Sequence, residues 1–339
     1  MFSEDYGNLL IHRRMLADRV RCEAYRRAIL ATVKPGQVVL VLGAGTGILS
    51  LFAAEAGARK VYAVERTRTA EVARQIVAHN GLADRVSVLQ TDMEDAELPE
   101  LVDVIVSEWM GSYGIEENLL PAVLQARDRW LKPDGRVLPE RVTAWMAPVA
   151  DPHFDQTLDL WRGQPYGLDL ALIADRQVHE PIFADHPLGP DALLAEPQGL
   201  WEIDAYRNCS AAARLPFRAA VCFTAVRSGH VSSLAAWFDS EIASGVTLTN
   251  APGAPKTHWR LALFPLERPT LVHPGTPIQI QFCCAPAGVG HCRNTWSVRV
   301  GSGPWEHHAT PKAARSTEEH EDGAFPFAYT GEHFVDLCV

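Results

Sequence analysis

Val38-Val39-Leu40-Val41-Leu42 runs straight into Gly43-Ala44-Gly45-Thr46-Gly47 and then into Ile48-Leu49-Ser50-Leu51-Phe52. An unbroken run of valine and leucine, closed by glycines, reads as a strand buried on both faces, and the apolar segment behind the glycines reads as a helix. The same alternation continues outward. Segments 61–64, 86–89 and 102–106 are predicted strands, and 48–56, 70–80 and 117–131 are predicted helices. Strands alternating with helices imply a parallel sheet covered on both sides. Upstream, Leu16, Val20, Tyr25, Ile29 and Leu30 recur at helical spacing, so residues 6–31 read as helical until Lys34-Pro35-Gly36 breaks the pattern.

Past Pro139 the texture changes. Prolines multiply and helical periodicity fades. Segments 142–149, 218–226, 233–238, 259–264, 278–284 and 295–300 are candidate strands of a mostly antiparallel β-domain. A polar, proline-rich stretch over 164–198 reads as an extended insertion. The chain thus divides into N-terminal helices (1–33), an α/β unit (34–140), a β-unit (141–310) and a tail (311–339) with no assigned structure. The seven cysteines are scattered without CxxC spacing, which predicts reduced, mostly buried thiols and no metal centre. A net charge of -10 disfavours phosphate-driven binding to nucleic acid and suits a cationic ligand. Neither a signal peptide nor an apolar stretch long enough to span a membrane is read, so a cytoplasmic protein is expected.

Two groups of residues carry chemistry. Glycines at a strand-to-helix turn let the backbone approach a ligand closely. Glu65, at the end of the second strand and 20 residues beyond Gly45, can accept hydrogen bonds from ribose hydroxyls. A nicotinamide dinucleotide is the rival ligand, but its fingerprint puts a third small residue where this chain has Ile48. Asp92-Met93-Glu94 follows the third strand. There Glu94 could accept from an exocyclic amine and Met93 could offer its backbone, or Glu94 could be a solvated loop acid. The second group lies at the end of the fourth strand, Ser107-Glu108-Trp109-Met110-Gly111, with Glu117 expected to open the next helix. Two carboxylates flanking one loop at the carboxyl end of a parallel sheet can grip a planar guanidinium through paired, charge-assisted hydrogen bonds. A bare capping pair is the plainer alternative.

Ser107-Glu108-Trp109-Met110-Gly111 with Glu117 resembles the double-E loop of the protein arginine methyltransferases, and Thr257-His258-Trp259 is similar to their THW loop. Tyr6, Ile11-His12, Met15-Leu16, Asp18 and Val20-Arg21 resemble the N-terminal helices of that family. Ala63-Val64-Glu65 and 130–135 match it as well, and the likeness spans about residues 2–265. The resemblance implies a Rossmann-like class I methyltransferase domain with N-terminal helices. A β-barrel-like domain would follow, carrying a dimerisation arm over 164–198, and the protein would be a homodimer. It implies S-adenosyl-L-methionine as cofactor, with S-adenosyl-L-homocysteine as product. Arg21 would pair with the cofactor's carboxylate, Gly43, Gly45, Gly47, Met93 and Glu65 would hold it, and Glu94 would take the adenine. Glu108 and Glu117 would clamp the acceptor guanidinium, with Glu108 also bordering the cofactor. Tyr6, Met15, Trp109 and Trp259 would line the acceptor pocket, and His258 would pair with Asp18 as a proton relay.

Two departures bear on the acceptor. The strand before the glycines ends Val41-Leu42, where the family carries an aspartate. His12-Arg13-Arg14 stands where two acids follow the histidine. Cations at the substrate entrance suit a small acceptor bearing a carboxylate, which Arg13 or Arg14 would bind, although both could face solvent. Arginine (26) also far outnumbers lysine (5), as in GC-rich, typically bacterial genomes. The expected acceptor is therefore free L-arginine or a small derivative, with peptide and protein arginines as the alternative. A non-catalytic binding module is disfavoured by the intact acids and glycines, and a phenol methyltransferase by the two anions.

Overall fold

The structure is a computed structural model that describes residues 5–288 and 290–311. Two helices open the chain, α1 (Leu9–Ala17) and α2 (Arg19–Thr32). The helical stretch expected over 6–31 is divided at Asp18, whose backbone is extended and whose carboxylate caps α2 by accepting from the Arg21 N–H at 2.9 Å. A short polar side chain offers the backbone that alternative, which is why a helix pattern can stop and restart at an aspartate.

The α/β unit follows as β1 (Val38–Leu42), α3 (Ile48–Glu55), β2 (Lys60–Val64), α4 (Thr69–His79), β3 (Val86–Leu89), β4 (Val102–Ser107), α5 (Leu120–Trp130) and β5 (Leu131–Leu138). Its strands lie in the order β3-β2-β1-β4-β5, all parallel. Every residue of β1 is buried, as its uniform apolar run requires. Leu42 sits opposite both Val64 and Ser107. Gly43, Glu65 and Glu108, each the next residue along, therefore emerge side by side from one edge of the sheet.

The second half contains β6 (Arg141–Val149), α6 (Pro152–Arg162), α7 (Ala171–Gln177), β7 (Ile182–Phe183), β8 (Gln198–Asp204), β9 (Phe217–Thr224), β10 (Gly229–Ala243), β11 (Val246–Thr249), β12 (Ala262–Val272), β13 (Pro277–Gly288), β14 (His291–Val300) and β15 (Trp305–Ala309). They form two antiparallel sheets, β7-β12-β10-β6-β8 with β11 on β10, and β15-β14-β13-β9. Phe223, Phe238, Phe264 and Trp296 fill the space within this half and are all but fully buried. Each such phenylalanine contributes about 1.5–3 kcal/mol by leaving water.

The arm differs from the extended insertion expected. Within 164–198 it carries one helix, α7, which packs on the preceding α6 through Phe154, Leu158, Ala174 and Val178. β15 closes the β-unit near its predicted end, and residues 312–339 of the predicted tail lie outside the described residues. Among the described cysteines, Cys22, Cys209, Cys283, Cys284 and Cys292 are free thiols, and of these only Cys284 is buried. No helix among the described residues is long and apolar enough to cross a membrane.

Candidate active site

The glycine turn does what its sequence implies. Gly43 and Gly45 both take positive φ, 67° and 55°. A Cβ on Gly45 would stand 2.9 Å from the His12 ring, and one on Gly43 would stand 3.1 Å from the Met93 methyl. Gly47 also has positive φ and ends the turn at the start of α3, but it does not line the cavity above. Its expected role in holding a ligand is corrected to a turn role. Glu65 spends one oxygen on the Gly45 N–H (2.9 Å) and the other on the Thr67 N–H (2.8 Å). This fixes its carboxylate at the cavity wall with lone pairs to spare.

That cavity is about 650 Å³ and is lined by Gly43, Gly45, Glu65, Met93, Glu94 and Glu108, among others. Arg21 also lines it, buried at 5% exposure. Its Nη2 donates to Glu108 at 3.2 Å, while its Nε has no partner among the described residues. Burial alone would lower the Arg21 pKa, but Glu108 outweighs it and holds the guanidinium charged. A buried, charged fork with an unspent donor at a cavity wall fits a carboxylate ligand.

A second cavity, about 1120 Å³, adjoins the first, and Tyr6, Met15 and Glu117 line both. Glu117 is held by the Tyr6 hydroxyl, which donates to both its oxygens at 2.9 Å. Burial pushes the Glu117 carboxyl well above its ordinary pKa, and the neighbouring charges of Glu108 and Glu116 add to this. The two acids therefore share one space and repel one another, an arrangement that a cation between them relieves. Burial likewise raises the Tyr6 phenol well above its usual value. Glu117 does not open a helix as expected. It lies in a turn, followed by Asn118 at φ 51°, and α5 begins at Leu120.

The loop between the acids is fastened to the β-half. Trp259 Nε1 donates to the Met110 carbonyl at 2.8 Å, Asn250 Nδ2 to the Ser112 carbonyl at 2.8 Å, and the Tyr113 hydroxyl to Asn294 at 2.7 Å. His258 donates its N–H (2.6 Å) to Asp18 and turns Nδ1 to the same oxygen at 3.0 Å. Burial would raise the Asp18 carboxyl, but the bonds from His258 and Arg21 prevail and hold it below its ordinary value. His258, Trp259 and Arg14 line the second cavity. Trp109 and Arg13 do not join them. Trp109 is wholly buried in the core at 1% exposure, and Arg13 is exposed on α1 and lines neither cavity.

Sequence reasoning missed Glu116, one residue before the clamp acid. Its carboxylate accepts from the Ser112 N–H and, at 3.2 Å, from the Tyr113 N–H. Burial nevertheless pushes it up to about 7 from 4.5. A Cβ on Gly111 would fall on this carboxyl group and force it to move. A carboxyl group whose pKa rises on folding stabilises fully below its unfolded value, and the benefit is lost as pH rises through its folded value. Melting temperature is therefore expected to fall as pH rises from about 5 to 8, and Glu116→Gln to make that decline shallower. An identical slope in the variant would show that Glu116 does not titrate with folding.

A family model described as the arginine methyltransferase oligomerization subdomain matches residues 140–296, and one described as PRMT5 arginine-N-methyltransferase matches residues 13–138. Protein arginine N-methyltransferase 6 of Xenopus laevis is 35% identical over 309 residues, covering 88% of this chain and 91% of that protein. The chain belongs to the protein arginine methyltransferase family. Its fold is similar to that of the Trypanosoma brucei PRMT1 enzyme–prozyme heterotetrameric complex with AdoHcy, with a TM-score of 0.81 and 29% identity over 91% of this chain and 100% of that one. Arabidopsis thaliana protein arginine methyltransferase 10 is similar with a TM-score of 0.76 and 29% identity, covering 90% of this chain and 97% of that one. This chain is accordingly an S-adenosylmethionine-dependent arginine N-methyltransferase. The glycine turn, Glu65 and the unspent Nε of Arg21 fit that cofactor.

Proposed function

We propose that the acceptor is an arginine side chain of a peptide or protein. The expectation of free L-arginine gives way here, because the curated relatives at this identity are named as protein arginine methyltransferases. The observation that carries the reading is the meeting of two cavities at Tyr6, Met15 and Glu117, with Glu108 on the first.

When bound, S-adenosylmethionine supplies an electrophilic methyl group on a cationic sulfur. The chain's own residues do the rest. Arg21 takes the cofactor's carboxylate, Glu65 its ribose and Glu94 its adenine amine. Glu108 and Glu117 orient one guanidinium nitrogen toward the first cavity, and their charges draw electron density to it. Tyr6 holds Glu117 in place through its hydroxyl. The nitrogen must shed one proton as it gains a carbon. Glu117, its carboxylate made more basic by burial and by Glu108, accepts it. His258 with Asp18 carries a proton from the acceptor cavity outward.

The arm would pair two copies. Tyr166, Leu168 and Leu172 stand 97%, 60% and 64% exposed there, an apolar face suited to a partner.

A second reading keeps a carboxylate on the acceptor. Arg14, Arg260 and Arg293 line the acceptor cavity, while its only acids among the described residues are Glu116 and Glu117. The deciding assay offers labelled cofactor with L-arginine, with a glycine-arginine peptide, and with a peptide carrying aspartate beside the arginine. Label in the peptides but not in L-arginine is the expected outcome, with Arg14→Glu weakening any preference for aspartate. Label in L-arginine alone would reverse the assignment.

A further inference from the structure

We propose that His153, Asp185 and His186 bind a divalent transition-metal ion, zinc above others, at the base of the arm. One donor atom from each lies within 4.8 Å of the other two. Asp185 Oδ1 is 3.8 Å from His153 Nε2 and 3.4 Å from His186 Nδ1. Tetrahedral zinc, with ligands at roughly 2.0–2.2 Å, spaces its donors roughly 3.3–3.6 Å apart. The three atoms therefore stand close to a coordination face, and small side-chain rotations close it. The two imidazoles approach to 4.3 Å between centroids and both converge on one carboxylate. Two nitrogens and one carboxylate oxygen form a donor set that suits zinc and excludes calcium and magnesium, which take oxygen.

The second observation lies behind His186. Its Nε2 is 3.0 Å from Asp151 Oδ1, and Asp151 is buried with 1% of its side chain exposed. A metal-bound histidine typically gives its outer N–H to such a carboxylate, which fixes the tautomer that leaves the inner nitrogen free as ligand. The other Asp151 oxygen has no partner among the described residues, nor has one oxygen of Asp155 nearby on α6. A cation bound to His186 would compensate the buried Asp151 carboxylate behind it.

The sequence positions give the site a role. His153 lies in the first turn of α6, and Asp185 with His186 follows β7, on the far side of α7. An ion held by both ends closes the segment between them and fixes the arm to the β-half, a gain that grows with the length of loop closed. Exposed His153 and Asp185 leave room for water as the fourth ligand.

The test uses the untagged full chain, stripped with a chelator and titrated with cobalt(II), followed by displacement with zinc. One equivalent should give the visible absorption of a tetrahedral nitrogen–oxygen site without a thiolate charge-transfer band. Zinc should also raise the melting temperature of the unliganded enzyme. His186→Ala and Asp185→Asn should abolish binding. Asp151→Asn keeps the helix cap, since asparagine caps as well as aspartate, yet should weaken the metal about 10–100-fold. Asp185 is exposed, so its variant remains informative should His186→Ala fail to fold. A thiolate band, binding unchanged in Asp185→Asn, or no saturable binding at all would each overturn the proposal.

Discussion

Glu117→Gln is expected to lower kcat by about two to three orders of magnitude while leaving affinity for S-adenosylhomocysteine within a few-fold of the wild type. The substitution keeps shape and volume and still accepts from the Tyr6 hydroxyl. It removes the negative charge that grips the guanidinium and the base that takes its proton, both felt most strongly in the transition state. Loss of fold is not expected to supply the effect, because removing the charge of Glu117 relieves the repulsion from half-buried Glu108 and Glu116. A companion pH profile sharpens the test. With its carboxyl raised by burial and by Glu108, free Glu117 must lose a proton before it can clamp a cation, so kcat/KM should climb with pH in the wild type. The variant should lose that limb. A variant retaining a tenth or more of wild-type turnover would rule out Glu117 as both grip and base.

Arg21→Met should nearly abolish cofactor binding and destabilise the chain by about 3–5 kcal/mol. The destabilisation comes from Glu108, left buried without its cation. The binding loss comes from the unspent Nε and its partner nitrogens, whose charge-assisted bonds are worth about 1.5–3 kcal/mol each. The double variant Arg21→Met with Glu108→Gln separates the two. It should recover most of the stability, since a buried pair replaced on both sides costs little, yet still fail to gain melting temperature from S-adenosylhomocysteine. Normal ligand-induced stabilisation in that double variant would place the cofactor's carboxylate elsewhere.

The α/β half was legible because its strands are buried on both faces and announce themselves as apolar runs. β1 falls at 38–42 as expected, and the acids and glycines follow from its end. The errors have physical causes. Asp18 divides what reads as one helical stretch, because its carboxylate competes for backbone N–H groups. Asn118 in the left-handed region delays α5 past Glu117, a conformation its neighbours do not signal. Trp109, which the resemblance implies at the acceptor, turns instead into the core, where a large indole gains more by burial. β10 extends over 15 residues where only six were expected, since cover on both faces erases its alternation and buries even Ser232 and Ser233. Glu116 carried no signal at all. An acid beside an acid in a loop reads as solvated, and only the folded loop turns it inward onto two backbone N–H groups.

Three tethers from β-half residues Trp259, Asn250 and Asn294 hold the loop that carries the reactive acids, although the sheet from which that loop springs is wholly N-terminal. Donor recognition and acceptor alignment are therefore separable properties of one polypeptide. A lesion at Asn250 or Asn294 can leave an enzyme that saturates with its methyl source and never turns over, with every residue that touches either substrate unchanged. Inactivating substitutions should accordingly scatter well beyond the signature motifs.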